Sequence, residues 1–249
     1  MTFDLVVATV DRVEELDRLL TSLDGQTHRD FRVLLADQND DDRLTAVTAA
    51  HPSLRVERLP APRGLSRARN AALPKVLADV VAFPDDDCVY PPDLLARVAA
   101  RLERLDGVTG REPWWTTAAA TLTRDNLWNR AISFTIFLRR EVVERVGLFD
   151  ERLGLPSSSA EEIDYLIRAL DAGARIEYDP SIVVEHPRKH GDVAVRDGRS
   201  VGYLLRKHRY GPGMVARMLI RPTAAIVLHP TRARFHAETL RGRVSGYRT

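Results

Sequence analysis

Three adjacent aspartates, Asp85, Asp86 and Asp87, end an apolar run in the stretch VVAFPDDDCVYPP from Val80 to Pro92. Like charges side by side repel, and none is buried cheaply without a cationic partner. At a strand end, residues i and i+2 point the same way. Asp85 and Asp87 can therefore converge while Asp86 points elsewhere. A hard divalent cation prefers carboxylate oxygens, and Mg²⁺ takes only one or two of them, with phosphates filling its shell. A D-x-D pair holding a metal-bound diphosphate is the chemistry this spacing allows. The plain alternative is a solvated acidic turn.

Two further clusters have chemical potential. In RGLSRARNAAL, Arg63, Arg67 and Arg69 surround Gly64, which can open a helix. Guanidinium groups and free N–H groups at a helix start suit a phosphate; the competing reading is a solvated helix face. In AEEIDYLIRAL, Glu161, Glu162 and Asp164 lie within one turn. Helical geometry sets Glu161 and Asp164 on one side, with Glu162 about 100° away. Crowded carboxylates raise one another's pKa, which suits a general base for a hydroxyl. Acidic residues complementing a helix start would look the same. Cys88 follows the aspartates, but a lone cysteine is usually a small buried apolar residue.

The elements that must carry these groups alternate. Phe3 to Ala8, Phe31 to Ala36, Leu54 to Leu59 and Asp79 to Phe83 have the apolar runs of buried strands. Between and after them, Val13 to Leu23, Leu44 to Ala50, Leu65 to Leu77 and a segment from Pro91 through Leu105 carry helical signals. This order predicts an α/β fold with a mainly parallel sheet flanked by helices. In such sheets ligands sit beyond the carboxyl ends of the strands. Those ends are ATVDR, ADQND and PDDDC, three acidic or small polar loops delivered to one edge. Further on, a strand ending at Leu138, a short helix stopped by Gly147, and a helix from Ser159 to Gly173 with Ser159 as its cap are expected. Two short strands around Asp179-Pro180 complete this part.

The chain has 249 residues and a net charge of +2. From His186 onward there are 14 Lys and Arg against 3 acids; the preceding residues hold 23 basic and 32 acidic. An acidic body with a basic tail seeks phosphates or anionic lipid. No zinc-finger spacing or aromatic RNA-binding signature is present, so no nucleic-acid partner is expected. The single cysteine excludes an internal disulfide and fits a reducing compartment. The start, MTFDLVVATV, lacks a signal peptide's basic region, and no run of ~18 apolar residues predicts a membrane span.

Five ordered blocks now point further. The opening VVATVDRVEELDRLLTSLDGQTHRDFRVLLADQND, then RGLSRARNAAL, VVAFPDDDCVYPPDLL, FTIFLRREVVERVGLFDERLG and AEEIDYLIRALDAGARIEYDPSIVVEHP resemble family 2 glycosyltransferases of the GT-A fold, in particular bacterial enzymes that build polysaccharides. The resemblance covers residues 3 to 190. It implies a GT-A catalytic domain over 1–190, with a nucleotide-binding half (1–110) and an acceptor half (111–190); the charge count and apolar spacing beyond it predict a basic amphipathic helical tail over 191–249. It implies that Thr9, Asp11 and Asp37 contact the nucleotide, that Arg63 and Arg69 help hold it, and that Asp86 lies beside the diphosphate. Asp85 and Asp87 would form the D-x-D on Mg²⁺ or Mn²⁺, with Asp87 and His186 nearest the ion. Glu162 stands where the family usually has an aspartate base; Glu161 and Asp164 are the alternatives.

Three positions depart from the family pattern. The first loop reads Thr-Val-Asp-Arg without the usual aromatic and Asn, Ala160 replaces a glycine, and Glu162 is one methylene longer than Asp. Trp114 and Trp115 fall where the family binds acceptors and could stack on a sugar ring, whereas Trp128 suits core packing. The resemblance implies an inverting transfer from a nucleotide-diphosphate sugar to a hydroxyl of a glycan or polyprenyl-linked acceptor. It also implies a cytoplasmic site of action, at the inner face of the cell membrane if the tail meets anionic lipid. In the tail, Met214, Val215, Met218 and Leu219 form a helical stripe flanked by Arg217 and Arg221. It suits an in-plane membrane helix, an intramolecular packing face or a subunit contact. A nucleotidyltransferase would need a glycine-rich activating loop that ATVDRVEE lacks. A non-catalytic nucleotide-sugar-binding or membrane-anchoring partner is the reading from another class.

Overall fold

The structure is a computed structural model and describes residues 1–113, 115–155, 159–187 and 194–249. Strand β1 (Phe3–Thr9) is buried along its whole length because both its faces are covered. Phe3, Leu5 and Val7 enter one core with Leu16, Leu19, Leu20 and Leu23 of helix α1 (Glu14–Asp24) and with helix α4 (Leu94–Leu102). Val6 and Ala8 enter the other core, with helices α3 (Leu65–Ala72), α5 (Arg140–Val146) and α6 (Glu161–Asp171). This alternation is the period-two geometry of a strand between two helical layers.

Strand β2 (Phe31–Asp37) lies parallel to β1 with Phe3 opposite Phe31, and β3 (Val56–Pro60) follows it outward. On the other side of β1 is β4 (Val80–Ala82), also parallel. Helix α2 (Thr45–Ala50) connects β2 and β3. With β5 (Gly107–Arg111), β6 (Ala120–Thr121), β7 (Phe137–Arg139) and β8 (Ile176–Val183), the sheet order is β3-β2-β1-β4-β7-β5-β8-β6. β7 is antiparallel to both β4 and β5, and β6 to β8, while β5 and β8 are parallel. The first half is thus a parallel unit and the second half a mixed one.

Several local expectations differ. β5 is unexpected because GVTGR carries no strand-like apolar run; its glycines mark close approach instead. A Cβ on Gly110 would overlap the Ile182 carbonyl of β8. β8 is one strand rather than two: it runs through Asp179-Pro180, with the irregularity absorbed by a register shift between Thr109 and Arg111 of β5. Helix α4 ends at Leu102, and α3 passes into a 3₁₀ turn over Leu73–Lys75.

The tail forms α7 (Ala194–Lys207), α8 (Pro212–Leu228) and α9 (Ala233–Arg248). α7 and α9 meet backbone to backbone: a Cβ on Gly202 would overlap the Arg243 carbonyl, and one on Gly246 the Arg199 carbonyl. Leu204 reaches the second core, and Lys207 and His208 reach α6. Among the described residues no helix is long and apolar enough to cross a membrane.

Candidate active site

The acidic loop is positioned by two backbone bridges. Asp85 still pairs with Ala8 of β1, so the chain stays alongside the sheet before the turn closes with Cys88 N–H donating to the Asp85 carbonyl at 3.2 Å. Val89 then pairs with Glu185. That bridge carries the segment after β8 to the aspartates. His186 Nε2 consequently lies 3.0 Å from one Asp87 oxygen and 3.8 Å from one of Asp85. Its ring stacks on Phe134, with centroids 4.6 Å apart, and its Nδ1 is 3.9 Å from Glu112. Asp85, Asp87 and His186 each present one ligand atom, all within 4.8 Å of one another. Two carboxylates and an imidazole at that separation fit a divalent cation such as Mg²⁺ or Mn²⁺. Cys88 takes no part in this group: burial first, then the neighbouring carboxylates, push its thiol well above its ordinary range.

The fold itself supplies countercharge to the aspartates. Arg12 Nη1 donates to Asp86 at 2.6 Å and to Asp87 at 2.7 Å. Burial still leaves Asp86 above the usual carboxylate range, although Arg12 opposes the shift. Arg69 is fully buried and spans two acids, at 3.2 Å from Asp85 and 3.0 Å from Glu161. Its guanidinium carbon also lies 5.7 Å and 5.5 Å from the ring centres of Phe83 and Phe149. Ser133 donates to Asp85 at 3.1 Å. Arg69 therefore organises carboxylates behind the site wall. Its neighbour Asn70 clasps the Phe149 backbone, accepting from its N–H at 2.8 Å.

A cleft of about 390 Å³ opens beside Asp85 and Asp86, lined also by Val10, Arg12, Gln38 and Arg63. Gln38 accepts from the Gly64 N–H at 2.7 Å, and the Leu65 N–H donates to the Gly154 carbonyl at 2.8 Å. The N–H groups of Gly64 and Leu65 are thus engaged, and the exposed Arg63 is a cation on this side of the cleft. Asp37 is buried against Arg58 at 2.6 Å and accepts from Asn39. Asp11 adopts φ 57°, a left-handed conformation, and pairs with Arg43 at 2.8 Å. Thr9 is buried at the end of β1, where its carbonyl accepts from Gln38 at 3.0 Å. Arg12, Gln38 and Ser133 escape sequence reasoning as site residues. The one available signal was Arg12, a lone cation in a strand-end loop of the same edge as the acid triplet.

The three acids of α6 separate sharply. Glu161 is buried on Arg69. Asp164 is fully buried and holds Lys207 at 2.6 Å, His208 at 2.8 Å and Arg168 at 3.0 Å. Burial alone would raise Asp164, but these partners bring it below the usual carboxylate range. Glu162 is half-buried, and no cation among the described residues pairs with it. Burial, then the charge of Glu161, push it up to about 8. Of the three, Glu162 has the electrostatics of a proton acceptor. Trp115 is half-buried and packs against the second core, as does Trp128, which tilts onto Tyr210 at 5.8 Å. Trp114 lies outside the described residues.

The residue that caps α6 is Ala160, not Ser159. The Ser159 hydroxyl is directed to Asp197 at 2.7 Å, and Ala160 sits at φ 66°. A Cβ in the left-handed region costs about 1–2 kcal/mol. Ala160→Gly is therefore expected to stabilise the protein by about 1 kcal/mol, raising the thermal midpoint by roughly 2–4 °C in a domain of this size. An unchanged or lowered midpoint would show that the strain is relieved elsewhere.

A family model described as glycosyl transferase family 2 matches residues 4–146. The chain belongs to this family. Curated relatives include the pre-mycofactocin glycosyltransferases of two Mycobacterium tuberculosis strains, CDC 1551 / Oshkosh and H37Rv, each 28% identical over 90% of this chain and 49% of theirs. The uncharacterized glycosyltransferase YwdF of Bacillus subtilis is 26% identical over 43% of this chain and 41% of its own. The chain spans about half the length of the curated relatives it matches. Among solved structures, the mannosyltransferase PcManGT of Pyrobaculum calidifontis, in complex with GDP-Man and Mn²⁺, superposes with TM-score 0.73 at 18% identity, covering 98% of this chain and 86% of that one. Staphylococcus aureus TarS 1–349 with UDP-GlcNAc gives 0.62 at 18% identity, covering 100% and 92%. These likenesses establish the GT-A fold.

Proposed function

We propose that this member of the family is a metal-dependent inverting glycosyltransferase. It moves a sugar from a nucleotide-diphosphate sugar to a hydroxyl of a glycan or polyprenyl-linked acceptor in surface polysaccharide synthesis. The observation that carries the reading is the convergence of Asp85, Asp87 and His186 at the edge of a cleft; Glu162, whose pKa is raised, lines a separate small pocket with Arg69 and Ser133, the two residues that hold Asp85. Two neighbours of the fold hold nucleotide-diphosphate sugars, GDP-Man and UDP-GlcNAc, which supports the donor class. A second reading of the acceptor has its own support: the relatives at 28% identity are named for pre-mycofactocin.

In this scheme the donor lies along the cleft, with Arg63 and Arg12 facing its phosphates. Asp85, Asp87 and His186 would hold Mg²⁺ or Mn²⁺, which supplies positive charge against the departing diphosphate. Glu162 takes the proton of the acceptor hydroxyl as that oxygen attacks the anomeric carbon, and the nucleoside diphosphate leaves from the opposite face. Burial raises Glu161 as well, with Arg69 opposing the shift, and the two crowded acids hold the Glu162 proton affinity high. Phe134, stacked on the His186 ring, orients the imidazole.

The test is release of nucleoside diphosphate from a panel of nucleotide sugars with glycan, polyprenyl-linked and pre-mycofactocin acceptors. Turnover should vanish in EDTA and return with Mn²⁺. Asp87→Asn should raise the Mn²⁺ concentration for half-maximal rate by about 100-fold. Turnover indifferent to EDTA and to Asp87→Asn would remove the metal from the scheme.

A further inference from the structure

The tail presents a surface that sugar transfer does not explain. Five of the protein's exposed large apolar residues, Ile220, Val227, Leu228, Phe235 and Tyr247, belong to α8 and α9. On α8, Ile220, Val227 and Leu228 are 62%, 79% and 72% exposed, so they face solvent outright. Helical geometry puts these three, with Arg217, Arg221 and Ala224, within an arc of about 120°. The opposite side of α8 buries Met218 and Pro222. The turn into α9 continues the surface with Arg232, Arg234 and Phe235, all exposed. From Pro212 to Thr249 there are seven arginines and a single acid, Glu238, which already pairs with Arg234 at 3.0 Å.

We infer that the outer face of α8 and the α8–α9 turn dock on the surface of an anionic lipid bilayer, with the helix lying in its plane. Aliphatic side chains enter the headgroup boundary while arginines at either flank reach lipid phosphates, their stems lying along the apolar surface. Charge selects this occupant over a second copy of the chain. In a symmetric dimer the same face would meet itself, setting arginines against arginines with no free acid to separate them. A nucleic acid would satisfy the arginines but would leave Ile220, Val227 and Leu228 against phosphates. The inference does not depend on the proposed reaction, because its readout is binding alone.

The experiment is flotation of the full chain with phosphatidylcholine vesicles, with and without phosphatidylglycerol, at low and high salt. Binding is expected to the mixed vesicles only, weakening as salt rises. Arg217→Gln with Arg221→Gln should lower affinity about 25-fold, roughly five-fold per arginine. Ile220→Asp with Val227→Asp should lower it at least as far, and these exposed substitutions should leave the thermal midpoint unchanged. Equal binding to neutral vesicles, retention by both double variants, a dimer in solution that these substitutions dissolve, or duplex binding without vesicle binding would each overturn the inference.

Discussion

Glu162→Gln is expected to lower sugar transfer by about 10²–10⁴-fold while the nucleotide sugar still binds, since only the proton acceptor is lost. The pH dependence gives this expectation its sharper form. Burial and the charge of Glu161 push Glu162 up to about 8, so the competent, ionised form is the minor one at neutral pH. The wild-type kcat/KM should rise about ten-fold per pH unit at low pH and level off near pH 8. Glu161→Gln removes the second cause and frees Arg69 to attract Glu162, so the inflection should move to lower pH. Stability runs the other way. An acid raised from 4.5 to about 8 contributes stability that is whole below 4.5 and is lost as pH rises toward 8. Glu162→Gln should flatten that part of the melting curve against pH. A wild-type rate profile with no inflection between pH 6 and 9, or a glutamine variant of full activity, would place the base elsewhere.

The first half of the fold was legible because its signals are local. Strands such as Phe3–Thr9 are apolar throughout, and α1 repeats leucine at helical spacing. The grouping of acidic strand ends follows from the order of elements alone. What stayed hidden depends on distant partners. Arg12 meets Asp86 across 74 residues of sequence, and Arg69 meets Glu161 across 92. The question posed by three adjacent aspartates therefore has a nearer partial answer than a metal: two arginines of the same chain offset part of their charge before any ligand binds. β5 was hidden because its glycines report packing against β8 rather than strand propensity. In α6 the geometric separation of Glu162 from Glu161 and Asp164 could be read from spacing. Which of them faces a cation could not, because Lys207 and His208 arrive from α7, 43 and 44 residues later.

That last contact makes Asp164 the point where the tail is joined to the helix bearing Glu162. Removing a partner from a buried ion cluster leaves the opposite charges desolvated and unpaired, an effect of about 3–5 kcal/mol. Asp164→Ala is expected to destabilise the protein by that amount, a fall in thermal midpoint of roughly 6–20 °C. Lys207→Met and His208→Leu in the same background should recover part of the loss, because they remove the stranded cations. A carboxylate held below its ordinary pKa contributes stability that is present above the unfolded value of 3.8 and disappears as pH falls through the folded one. Asp150, which shares Lys207 at 2.8 Å and accepts from Tyr203 at 2.7 Å, is depressed as well. Both contributions should therefore begin to fade as pH falls below the unfolded value of 3.8, loosening α7. Trp128 gives the optical readout, since it packs on Tyr210 just beyond α7. Its fluorescence should change in acid before the far-ultraviolet signal of the sheet does. In Asp164→Ala that early step should already be complete at neutral pH, and catalysis should suffer in kcat more than in KM, because α6 would no longer hold Glu162 in place. A variant that melts like the wild type would mean the tail is joined to the body through Leu204 and its apolar neighbours alone.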